Sequence, residues 1–186
     1  MLSPATAARE PLHTRTVECR GFRREDGLWD VEGHMTDVKS YAFDNYYRGR
    51  IEPGEPLHDM WLRLTFDDNL VIHAIEAVTD RAPYEICPAI TPAFQKLVGE
   101  RIGAGFTLRV RQLLGGTAGC THLVELLGPI ATTAFQTIAP LRKAKPPSVP
   151  PRRPVLLNTC HAFVSDGEVA KRLWPDFYVG GDRTDD

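Results

Sequence analysis

Asp59-Met-Trp-Leu-Arg-Leu-Thr-Phe-Asp-Asp-Asn-Leu-Val-Ile-His-Ala-Ile-Glu-Ala77 decides the fold class of this chain. Met60, Leu62, Leu64 and Phe66 fall at every second position, the period of a strand that buries one face. Asp67-Asp68-Asn69 is turn chemistry, and Leu70 to Ala77 returns as a second strand, so the stretch reads as a hairpin. Upstream, Trp29, Val31 and Met35 alternate in the same way with Gly33 between them, which predicts another half-buried strand.

Downstream the period changes. Thr91-Pro92 offers a helix cap followed by proline at the first helical position, and Phe94, Leu97 and Val98 supply a stripe that Gly99 ends. Phe106, Leu108 and Val110 alternate with Thr107, Arg109 and Arg111, which predicts a strand closed by Gly115-Gly116. A further helix is expected from near Cys120, with Leu123, Leu126, Leu127, Ile130 and Ala134 on one face. Pro129 predicts a kink or two pieces there, since an interior proline costs ~3 kcal/mol. Asp166 is placed to cap a last short helix running to Leu173. Strands joined by tight turns and followed by helices define an α+β fold: an antiparallel sheet with two or three helices on one face.

The expected organisation is a single α+β domain over 1–139, a strap over 140–154 that holds six prolines, a segment over 155–179 packing back on the domain, and a disordered tail over 180–186. Val155, Leu156 and Leu157 supply the apolar contact for that return. A net charge of -2 lacks the basic footprint of a nucleic-acid binder. The N-terminal residues hold no signal-peptide apolar core, and no run approaches the ~20 apolar residues of a membrane helix, so a cytoplasmic location is expected. There the four cysteines Cys19, Cys87, Cys120 and Cys160 stay reduced and free to act as ligands or nucleophiles.

Cys87, Cys120 and Cys160 each stand at a predicted turn or element boundary, and Cys120-Thr-His122 and Cys160-His161 bring imidazoles close. A thiol at a helix N-terminus sits near partial positive charge that favours the thiolate, which singles out Cys120. Cys120, His58 and Asp59 are the candidate catalytic residues, and Cys87, Cys120, His122, Cys160 and His161 the candidate metal ligands. Such soft donors suit zinc or an iron–sulfur cluster. Arg23 and Arg24, a guanidinium pair before a turn, and His34 on the polar face of its strand are the candidate substrate contacts. No phosphate-cradling loop or dinucleotide fingerprint occurs, so no nucleotide cofactor is indicated. Cys19, in an N-terminal strand, is expected outside the cluster. Against all this stands the plain alternative of buried, inert cysteines.

Gly21-Phe-Arg-Arg-Glu-Asp-Gly-Leu-Trp-Asp-Val-Glu-Gly-His34, Leu57-His-Asp-Met-Trp-Leu-Arg-Leu64 and Gly119-Cys-Thr-His-Leu-Val-Glu-Leu-Leu127 resemble a bacterial family designated domain of unknown function 2889, over roughly Leu12 to Trp174. That resemblance implies no activity. The layout from His58 to Ile138 is also similar to the U-type scaffold proteins of iron–sulfur cluster assembly. It sets His58 or Asp59 near the first ligand place, Cys87 at the second cysteine and Cys120 at the last. The scaffold's first cysteine has no counterpart here, and Gly119 stands where many scaffolds carry histidine. The expected function is a metal- or thiolate-dependent enzyme acting on a small, anionic organic substrate. The alternatives are a non-catalytic cluster or sulfur carrier working with a partner protein, and a binding module with structural cysteines.

Overall fold

The computed structural model describes residues 1–141 and 152–180. The chain divides into two units, Met1–Arg142 and Lys143–Asp186. In the first, β1 (His13–Arg23), β2 (Trp29–Lys39), β5 (Pro56–Phe66) and β6 (Ile72–Arg81) form one antiparallel sheet in the order β1-β2-β5-β6. β3 (Phe43–Asn45) and β4 (Gly49–Ile51) make a small hairpin of their own between β2 and β5. The predicted α+β class holds. The hairpin that announced it is β5–β6, with one difference: Leu70 has φ 65° and belongs to the turn, so the second strand begins at Ile72.

Alternation along the paired strands builds two unlike faces. Val31, Met35, Met60, Leu62, Leu64 and Phe66 point to one side and are essentially inaccessible. On that side α2 (Thr121–Ile138) crosses β1, β2 and β5, and a 3-10 helix, Cys87–Leu97, lies on β6. The close approach of α2 depends on glycine. A Cβ at Gly33 would collide with Ile130, and one at Gly21 with Thr137. Leu123, Leu126, Leu127, Ile130 and Ile138 of α2 are buried in the shared core, each contributing ~1.5–3 kcal/mol relative to exposure.

Three local expectations change. Phe106–Leu114 is a helix, α1, rather than a strand. Phe106 and Val110 satisfy both periods, and Leu114, buried four residues on, settles it, while Leu108 is left 62 % exposed. The helix read from Thr91-Pro92 is the 3-10 helix already in place at Cys87. It carries Pro92 inside, and the Thr91 hydroxyl donates to the Pro88 carbonyl instead of capping. α2 runs through Pro129 in one piece. Pro129 and Glu125 both lie on its exposed side, so the carbonyl that proline cannot serve faces water.

The second unit is described over 152–180. It holds α3 (Glu168–Leu173), whose N-cap is Gly167 and not Asp166. Asn158, at φ 63°, donates its amide to the Phe163 carbonyl and accepts from the Ser165 amide through its side chain. Of the three residues expected to bury, Leu157 does, whereas Val155 is 88 % exposed. Most of the proline strap and the tail over 181–186 lie outside the described residues. Among the described residues no helix is long and apolar enough to cross a membrane.

Candidate active site

The inner row of the sheet ends in polar residues. Continuing the alternation two places past Met35 gives Asp37, and two places back from Met60 gives His58. The register pairs Arg15 with Asp37 and Asp37 with His58 across three strands. Asp37 is 1 % exposed and accepts four hydrogen bonds. Arg15 holds it bidentately, Nε to Oδ1 and Nη2 to Oδ2, both at 2.8 Å. His13 Nε2 reaches Oδ1 and His58 Nδ1 reaches Oδ2, both at 3.0 Å. Burial pushes the carboxyl up, but the Arg15 guanidinium outweighs it and holds the group down at about 2. An ionised carboxylate only accepts, so Nδ1 of His58 carries the proton in this contact.

His122, in the first turn of α2, lies over that imidazole with ring centroids 3.8 Å apart and planes at 34°. Cys120 is the N-cap of the same helix. Burial raises its thiol, yet a hydrogen bond from the His122 ring and the facing amides of Leu123 and His122 bring it below the ordinary thiol value. His122 is raised in return, first by its bond to Cys120, against burial. His58 moves the other way: burial, then the nearby charge of His122, lower it despite Asp37. Cys120 and His122 thus shift in opposite directions through one contact, the thiol lowered and the imidazole raised, beside a His58 ring that Asp37 holds through Nδ1.

Thus the structure brings Cys120, His122 and His58 together and adds Asp37, Arg15 and His13, which sequence reading missed. Asp59 and His34 fall on the opposite face, where His34 Nε2 meets Asp59 Oδ1 at 2.8 Å and the imidazole stacks on Trp61 at 3.7 Å. Arg23 and Arg24 stand at the far end of β1. Arg23 lies over the Trp29 ring, and Arg24 is bound by Asp26 and Asp30. Cys87 is half-buried at the start of its 3-10 helix, and Cys19 sits on the inner face of β1 with its thiol raised by burial. Cys160 and His161 belong to the second unit, where both are exposed. Among the described residues, Asp37, His58 and His122 place donor atoms within 4.8 Å of one another, the spacing that a metal ion would need.

The fold and this site define a one-sided α+β protein in which a buried carboxylate leads through two histidines to a half-buried cysteine at a helix N-terminus. The chain belongs to the family described as Protein of unknown function (DUF2889), whose model matches residues 13–136, a span that includes every member of the site. No curated protein and no solved structure matches it.

Proposed function

We propose that this chain is an enzyme that uses Cys120 as a nucleophile on a small organic substrate, in a cytoplasm that keeps the thiol reduced. The observation that carries this reading is the Asp37–His58–His122–Cys120 chain, buried at Asp37 and His58 and half-buried at His122 and Cys120. The Cys120 thiolate attacks an electrophilic carbon and forms a C–S bond, while the leaving group takes its proton from His122. His58, oriented by Asp37 through Nδ1, uses Nε2 to accept a proton from the water that cleaves the covalent intermediate. Arg15 fixes Asp37 and keeps it ionised, a positioning role.

A metal reading has the donor spacing in its favour. It requires Asp37 to give up part of a saturated shell, because its four acceptor sites are already engaged by Arg15, His13 and His58. The deciding experiment follows iodoacetamide alkylation of Cys120 against pH by mass spectrometry, with elemental analysis of the same purified protein. The expected midpoint lies below the ordinary thiol value, with His122→Asn moving it up. An ordinary midpoint in the wild type, or stoichiometric metal, removes the thiolate reading.

A further inference from the structure

The two edges of the four-stranded sheet are finished differently. β6 carries register irregularities against β5 at Asp59/Met60 and Thr65/Phe66, and backbone groups on its outward side have partners. The Ile72 amide donates to the Glu100 carbonyl, the Ile72 carbonyl accepts from the Gly99 amide, and Gln95 Nε2 donates to the Ile75 carbonyl at 2.6 Å. β1 has none of these devices. Its 11 residues pair with β2 without a shift, none is a proline, and all but Cys19 are exposed. An unbroken edge of that length is a template for another strand.

The ends of the β1–β2 hairpin fix which backbone groups of β1 point outward. At one end the Arg24 amide donates to the Leu28 carbonyl, and at the other the Ser40 amide donates to the Leu12 carbonyl. Both bonds fall on even-numbered residues of the first strand, and in an antiparallel ladder hydrogen-bonded and non-hydrogen-bonded pairs alternate. Arg15, Val17, Cys19 and Gly21 therefore present amide and carbonyl to the open side, where no hydrogen bond reaches them among the described residues.

We propose that β1 pairs antiparallel with β1 of a second copy, about a two-fold axis through Cys19, joining the two sheets into one. The proposal does not depend on the reading of Cys120. Reciprocal bonding of the outward groups allows a pairing centred on Glu18, Cys19 or Arg20, and charge decides between them. Centred on Glu18, two carboxylates face each other; centred on Arg20, two guanidinium groups do. Centred on Cys19, each Glu18 faces Arg20 of the other copy, at non-hydrogen-bonded positions where side chains stand closest. Within one chain the two are joined only by a solvent-exposed contact of 2.7 Å. The same register sets Phe22 against Thr16 and Val17 against Gly21, covering two apolar side chains that the single chain leaves exposed. Its like-charged pair, Arg15 opposite Arg23, lies at the outer limits of the pairing, and Arg15 is already committed to Asp37 and Glu125. Charges on an edge deter most strands; here they make β1 its own matched partner.

Sedimentation equilibrium of the full-length protein over a range of concentrations is expected to show monomer and dimer in exchange, as a small interface dictates. Glu18→Arg and Arg20→Glu each replace two attractive pairs by two repulsive ones and are expected to weaken the dimer about tenfold or more, while the double variant E18R/R20E restores it. Val17→Pro removes an outward amide that β2 does not use, the placement at which an edge strand tolerates proline, and is expected to give a folded monomer by circular dichroism. A protein that is monomeric at every concentration overturns the proposal. So does a dimer that survives Val17→Pro, because it uses another surface, and so does a double variant no better than the single ones, because it rules out the register. Should Val17→Pro fail to fold, the charge exchanges, made at exposed side chains, decide alone.

Discussion

The two faces of the sheet carry the same residue types to different ends. His58 and Asp59 are neighbours in sequence, yet one points into the protein and the other out. On the inner face, His58 and Arg15 converge on one carboxylate that water hardly reaches. On the outer face, His34 pairs with Asp59 and Arg63 with Glu32 and Glu76, all at comparable distances but in solvent. Hydrogen-bond length is nearly constant across these pairs, so burial, which sets the effective dielectric, separates a poised site from surface charge.

The largest expected contrast is in stability. Asp37→Ala removes the partner of a bidentate arginine and of a buried histidine and is expected to cost about 3–5 kcal/mol in urea denaturation. Asp59→Ala, one face over, is expected to cost ~1 kcal/mol or less. Equal losses would mean that the faces differ in appearance only.

Next comes acid sensitivity. Asp37 is held at about 2 against a usual value of 3.8. A depressed carboxyl contributes stability fully above its unfolded pKa and loses it as pH falls from about 4 through 2. The shift corresponds to on the order of 2 kcal/mol. Asp26 and Glu55, also lowered by partners, remain in an Asp37→Asn protein, so the difference between the two acid-unfolding curves isolates Asp37. His58 is lowered and contributes stability that declines on acidification, while His122 is raised and contributes stability that is lost as pH rises. Parallel curves for wild type and Asp37→Asn would contradict this account.

The inner site was half legible. The hairpin could be read because Met60, Leu62, Leu64 and Phe66 match a single period, and Cys120 and His122 because a thiol before a helix has a stated consequence. α1 was misread because Phe106 and Val110 are four apart, a spacing common to strands and helices. Asp37 was within reach: extending the alternation of Trp29, Val31 and Met35 by one step puts a carboxylate on the buried side, which is unusual enough to flag. His13 and Arg15 could not have been found, since their approach to Asp37 depends on register between strands more than twenty residues apart. The choice of His58 over Asp59 also rests on register, as a one-residue slip exchanges the faces.

A smaller effect is expected on the thiol. His122→Asn removes the ring whose hydrogen bond lowers the Cys120 thiol and is expected to slow alkylation near neutral pH several-fold. His58→Asn removes a neighbouring ring and alters the rate less, whereas His34→Asn leaves it unchanged. Cys19, raised by burial, should alkylate more slowly than Cys120 in the folded protein. A faster Cys19 would mean that burial does not govern reactivity on this face.

The smallest effect belongs to the outer pair, and a double-mutant cycle on His34→Ala and Asp59→Ala measures it. The two side chains are 27 % and 26 % exposed, so water competes for both partners and screens their attraction. The imidazole is also held by stacking on Trp61, which lies within 8° of parallel to it and stays in place when Asp59 is truncated. The hydrogen bond therefore adds little fixation beyond what stacking provides. A coupling of ~0.2–1 kcal/mol is expected, with Cys120 alkylation untouched in all four proteins of the cycle. A coupling well above that range, or any change in thiol reactivity, would show that the outer pair is linked through the sheet to Asp37 and His58. The outer face would then belong to the site.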